Sequence, residues 1–199
     1  MNNQTAILVI LSRMLDYPDT RLMEERASIE AFAKDFISSE ILKEEVIKRI
    51  TLFYEMELYE LQELYVDTFD HSQKTNLYLT AQELGDSKRR GMALIQLQKL
   101  ITEAGYDYQG REIVDYIPML LELLAVSQMT EKLIQLSKRI AMAMQKILDS
   151  LPNLNPYSQL IEFLLMDVLI LPSEEERTLF EVEQEGPDLD ELPYPLMYR

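Results

Sequence analysis

Leu58, Leu61, Tyr65 and Phe69 recur at i, i+3, i+7 and i+11, and the face between them carries Glu57, Glu60, Glu63 and Asp67. That spacing lines one side of an α-helix with apolar groups and leaves the other solvated. The same period returns along the chain. Ile7, Ile10, Leu11, Met14 and Leu15 share a face over residues 5–15, and Tyr17-Pro18-Asp19 ends that helix, because a residue before proline is pushed out of the α region. Only five glycines and eight prolines punctuate 199 residues, which leaves little material for hairpins. The expected architecture is all-α, a single-domain helical bundle of about eight to ten helices.

The walk along the chain gives more detail. Residues 22–56 are charged and hold two or three short helices. His71 to Thr75 is a polar break. A helix over about 76–84 meets Gly85 as its C-cap, and Asp86 or Ser87 caps the next helix, which buries Ala93, Leu97, Leu100, Ile101 and Ala104 before Gly105. With Asp115 as N-cap, Pro118 falls in the first turn of a helix reaching about Val126, where its missing N–H costs nothing. That helix buries Ile117, Leu120, Leu121 and Leu124. A helix over about 130–148 follows. Asn155-Pro156 then forms an N-cap and N1 pair for a last strong helix ending before Pro172. Residues 1–172 form the helical domain. Residues 173–199 carry nine acids, two bases and three prolines, and read as a mobile acidic tail.

Charge narrows the partners. A net charge of −16 argues against nucleic acid, whose phosphates need clustered Lys and Arg, and against an anionic membrane surface. It attracts basic polypeptides, although acidity serves solubility equally well. No run approaches the ~20 apolar residues that span a bilayer. No basic residue precedes the six-residue run at 6–11, so a signal peptide is not expected. Zero cysteines exclude disulfides and thiolate metal sites. A cytoplasmic location is the expectation.

Catalytic patterns are absent: there is no nucleotide-binding glycine motif and no nucleophile elbow. His71, the only histidine, has Asp67 at i−4 and Asp70 adjacent, but one histidine cannot supply the two Glu-x-x-His sets of a ferritin-like metal site. A metal-dependent enzyme would have to use Asp67, Asp70 and His71, or Glu112 and Asp115 as acid and base. The plainer reading is a solvated or capping role for all five. Eleven Met and eleven Tyr suit an adaptable binding surface, with core filling the plainer role for each, notably Met142 and Met144.

Five blocks in order carry a resemblance: Leu15-Asp16-Tyr17-Pro18-Asp19, Tyr65-Val66-Asp67-Thr68-Phe69-Asp70, Leu77-Tyr78-Leu79-Thr80, Gly85-Asp86-Ser87 with Arg90-Gly91, and Glu112-x-x-Asp115-Tyr116-x-Pro118 running into Leu121-Glu122-x-Leu124-Ala125. Together they resemble the nitrate reductase molybdenum cofactor assembly chaperones, the delta-subunit family within the redox-enzyme maturation chaperones. The likeness covers about residues 5–170. Val114 stands where the family usually has proline, and Tyr116 where the wider group often has histidine.

The resemblance implies an all-helical cytoplasmic chaperone with no catalytic activity and no cofactor of its own. It would bind the basic amphipathic N-terminal segment of the apo nitrate reductase catalytic subunit while molybdenum cofactor and an iron–sulfur cluster are inserted. The residues it marks for client binding are Tyr65, Phe69, Asp70, Glu112, Asp115, Tyr116, Pro118, Leu121 and Glu122. A permanent structural adaptor is the remaining alternative, and a homodimer is left open.

Overall fold

The computed structural model describes residues 1–107, 112–152 and 154–184, the side chains of 181–184 excepted. Eleven α-helices make up the described fold: α1 (Asn3–Met14), α2 (Thr20–Glu24), α3 (Arg26–Phe36), α4 (Glu40–Tyr54), α5 (Leu58–Tyr65), α6 (Leu79–Leu84), α7 (Arg89–Glu103), α8 (Ile117–Val126), α9 (Glu131–Ser150), α10 (Pro156–Asp167) and α11 (Glu174–Gln184). No strand is present among the described residues. One isolated antiparallel bridge joins Tyr78 to Tyr116. The all-α expectation holds, and short α2 together with α11 takes the number past the eight to ten expected.

Helix α1 is central. It packs most extensively along α8 and also meets α3 and α10, while α9 packs on α6, α8 and α10. The apolar stripe predicted for α1 is fully internal: Ile7, Leu11 and Leu15 are wholly buried, and Ile10 and Met14 nearly so. On α8, Ile117, Leu120 and Leu121 are equally buried. Removing a Leu from such a position costs about 2–5 kcal/mol, so this pair of helices anchors the molecule.

Local chemistry sets the helix ends. Asn2 accepts from the Thr5 N–H, Asp19 from Leu22, Thr130 from Leu133 and Asn155 from Tyr157. Gly85 closes α6 with φ of 55°, a conformation that side chains resist. Ser87, expected as a cap, is not the N-cap of α7, which is Lys88, but its hydroxyl accepts from the Arg89 N–H at 3.2 Å. Helix α6 starts at Leu79, not near Asn76, because the backbone there pairs sideways: Leu79 N–H donates to Asp115 O (2.9 Å) and Ile117 N–H to Leu77 O (2.8 Å).

Past Tyr65 the helix widens into a π-turn over Val66–Asp70, closed by a hydrogen bond from His71 N–H to Val66 O. The turn keeps Phe69 in the core with Tyr65, Tyr157 and Phe53, in edge-on contacts with ring centres 4.8–5.0 Å apart. Thr68 hydroxyl donates to Leu64 O and accepts from Asn155 Nδ2 (2.8 Å), tying the turn to the start of α10.

The acidic stretch expected as a mobile tail begins with α11. Ser173 and Glu176 form a reciprocal capping pair, and three glutamates in the first turn suit the helix dipole. The remainder, residues 185–199, lies outside the described residues.

Candidate functional site

A groove of about 630 Å³ runs between α1, α3 and the entry to α8. Its apolar lining comes from Val9 and Ile10 of α1, Ile29 and Phe32 of α3, and Pro118 and Met119 of α8. Asp16, Glu25, Glu112 and Glu122 supply carboxylates, and among the described residues Arg13 is the one lining cation. Greasy lining under an acidic rim is complementary to a helix with one apolar face and basic flanks.

Four of the nine expected residues line this groove: Glu112, Tyr116, Pro118 and Glu122. Their placement follows from the turn before α8. The N-cap is Tyr116 and not Asp115, so Pro118 sits at the start of the helix, where proline is harmless. Tyr116 is 7% exposed, and its hydroxyl donates to Asp16 Oδ1 at 3.0 Å. Burial, Tyr65 and Asp16 together push that hydroxyl far above the ordinary tyrosine range, which keeps it a donor.

Tyr65 stands behind the groove wall, its hydroxyl 2.9 Å from that of Tyr116. Phe69 and Leu121 lie deeper in the core and do not reach the groove surface. Asp70 is exposed near Glu112. Partial desolvation, opposed by His71 and aided by the Glu112 charge, raises the Asp70 carboxyl above its usual value. Glu112 accepts from the Tyr78 hydroxyl at 2.8 Å.

Asp115 has a different role from the cap expected of it. It is 0% exposed and serves α6 instead of its own helix: its Oδ2 accepts from the Thr80 N–H (3.2 Å) and from the Thr80 hydroxyl. Arg90 completes the arrangement, with Nε donating to Thr80 Oγ1 (3.0 Å) and a terminal nitrogen 3.5 Å from Asp115 Oδ2. Three separate sequence blocks therefore meet at one buried ion pair. A carboxylate in that position is structural support for the α8 entry, since nothing from outside reaches it.

The residues named for the enzyme alternative do not come together at one centre. Glu112 faces solvent while Asp115 is enclosed, so the two do not share a reacting centre. Asp67 and His71 form an exposed pair at 3.1 Å. Among the described residues no group of three or more His, Asp or Glu is placed to hold a metal ion, and no described helix is long and apolar enough to cross a membrane.

The profile of the nitrate reductase delta subunit family matches residues 39–154, more than half of the chain. The chain belongs to that family. It is 27% identical over 161 residues to a Bacillus subtilis protein named as a probable nitrate reductase molybdenum cofactor assembly chaperone, NarJ, covering 78% of this chain and 84% of that one. It is 32% identical over 123 residues to the nitrate reductase molybdenum cofactor assembly chaperone NarJ of Escherichia coli, covering 59% of this chain and 50% of the relative. The chain thus spans about half the length of the second relative and most of the first. Both are named as assembly chaperones and not as enzymes.

Apart from Met119 of α8, the lining residues that no motif marked are those of the opposite wall. Asp16 and Asp19 stood in a quoted block, and the Tyr-Pro that follows Asp16 marked a turn worth placing in the site. Nothing in residues 26–36 distinguished Ile29 and Phe32 from ordinary core positions, and the family match begins only after them.

Proposed function

We propose that this protein is a system-specific chaperone of nitrate reductase maturation. It binds the N-terminal segment of the apo catalytic subunit and assists insertion of molybdenum cofactor and iron–sulfur cluster before the complex assembles, acting in the cytoplasm and leaving the finished enzyme. The observation that carries this reading is the groove between α1, α3 and α8 in a chain of the delta-subunit family: apolar lining, four carboxylates and one already paired cation. The client's apolar helix face would supply most of the affinity, and charge would speed encounter and set register.

Glu112, Tyr116, Pro118 and Glu122 are the contacts proposed from the original nine. Tyr65, Phe69, Asp115 and Leu121 hold the wall in shape, and Asp70 adds charge at the rim. Calorimetric titration with a synthetic peptide of the catalytic subunit's N-terminus tests the docking and should give binding that weakens with salt. The maturation role is tested by deleting the gene. Cells without this protein should accumulate nitrate reductase lacking its molybdenum cofactor, and fully metallated enzyme in those cells would remove the proposal. A chaperone should co-purify with cofactor-free reductase only, whereas a permanent adaptor would remain with the mature complex.

A further inference from the structure

The two walls of the groove differ in how their charge is spent. On the α1–α3 side, Arg13 reaches into the groove and is held by three carboxylates: Nη2 donates to Asp19 at 2.7 Å, Nε to Glu25 at 3.0 Å, and Nη1 lies 3.8 Å from Asp16. Arg21 adds a second cation to Glu25 at 3.3 Å. Three acids are thus matched by two guanidiniums, and a guanidinium held by two hydrogen-bonded carboxylates is not readily displaced by a mobile side chain.

On the α8 side the balance is different. Glu112 and Glu122 are exposed, and neither forms an ion pair with a described cation; among the described residues Glu112 takes the neutral Tyr78 hydroxyl. Glu122 lies one turn beyond Pro118 on α8, and Glu112 precedes the helix, so the two bracket the lining residues Tyr116, Pro118 and Met119. Asp70 adds a further negative charge near Glu112.

We infer that the groove reads the charge of its client mainly on one wall: the basic flank of the bound helix lies along α8, against Glu112 and Glu122, while Arg13 serves as a built-in occupant that offsets most of the charge of the facing wall and so fixes the client's rotation about its own axis. This deepens the docking proposed above and rests on it. A client presenting cations on both flanks would gain little from the second flank, where Arg13 and Arg21 already offset most of the negative charge, which makes the arginine an element of specificity as well as of structure.

The test uses the full chain and a synthetic peptide of the catalytic subunit's N-terminus, titrated at two salt concentrations. Glu112→Gln with Glu122→Gln should weaken binding about tenfold at low salt and flatten the salt dependence, whereas Glu25→Gln should weaken it less and leave the salt dependence in place. Glu122→Lys should bind the native peptide poorly and regain affinity for a peptide whose basic residues are replaced by glutamate, a reversal that a structural defect would not produce. Equal weakening on both walls, or no reversal, would overturn the wall assignment while leaving the docking in place. No binding by the unmodified protein would overturn the docking and the assignment together.

Discussion

Tyr65 and Tyr116, fifty-one residues apart in sequence, meet hydroxyl to hydroxyl at 2.9 Å, and Tyr116 passes the chain on to Asp16 at 3.0 Å. The relay joins the end of α5, the entry of α8 and the end of α1 across the back of the groove. Tyr116→Phe deletes the central hydroxyl and leaves the buried Tyr65 hydroxyl without its partner. The expected loss is about 1–3 kcal/mol, read as a lowered urea midpoint with an unchanged slope. Tyr65→Phe with Tyr116→Phe should cost less than the sum of the single changes, and strict additivity would mean that the two hydroxyls do not act as a unit.

Asp115 offers a sharper contrast. Asp115→Ala strips the Thr80 N–H and hydroxyl of their acceptor and leaves Arg90 without its buried counter-charge, at a cost of about 3–5 kcal/mol. Asp115→Asn keeps an oxygen for Thr80 and loses only the charge, so it should fall between wild type and the alanine variant. Thermal melts followed by circular dichroism give the order. An alanine variant as stable as wild type would contradict a structural role for this carboxylate.

Acid should loosen the α1–α2 junction. Burial tends to raise the Asp19 carboxyl, but hydrogen bonds from Arg13 and the Leu22 N–H outweigh it and hold the group below its ordinary value of 3.8. A carboxylate with a depressed folded pKa contributes stability above its unfolded value and loses it as pH falls through the folded one. Asp19→Asn retains a cap acceptor for α2 and removes the charge. The variant should therefore be less stable than wild type at about pH 6, and the gap should close as pH drops below about 4. Urea midpoints across that range measure it, and a gap that widened on acidification would reverse the sign of this account.

The sequence showed most of what periodicity and caps encode. The α1 stripe, the Asn155-Pro156 start, the Gly85 stop and the end of α8 at Val126 all stand where spacing placed them. Three features escaped it because each depends on partners far along the chain. Asp115 looked like a local cap, yet its acceptor oxygen serves Thr80, thirty-five positions away. Helix α6 begins late because Leu77 and Leu79 pair with the backbone around Tyr116. The opposite wall of the groove exists only because α3 folds back on α1, a contact that no motif in residues 26–36 announces. The candidate site was thus half legible: the α8 wall carried a motif, and the α1–α3 wall carried only amphipathic helix.

Ser28 provides the most direct steric test of the groove. It is exposed on α3 and lines the cavity alongside Ile29 and Phe32. An exposed helical serine tolerates replacement within about 0.5 kcal/mol when nothing else depends on it. Ser28→Trp should therefore leave the fold intact while its indole fills space meant for the client's apolar face. Binding of the catalytic-subunit peptide should fall by at least about tenfold, with unfolding midpoints unchanged. The native chain contains no tryptophan, so the new indole also reports on its surroundings: added peptide should not shift its emission if the groove is blocked. A variant that binds at full strength with its indole emission unchanged on saturation would move the docking surface away from this groove.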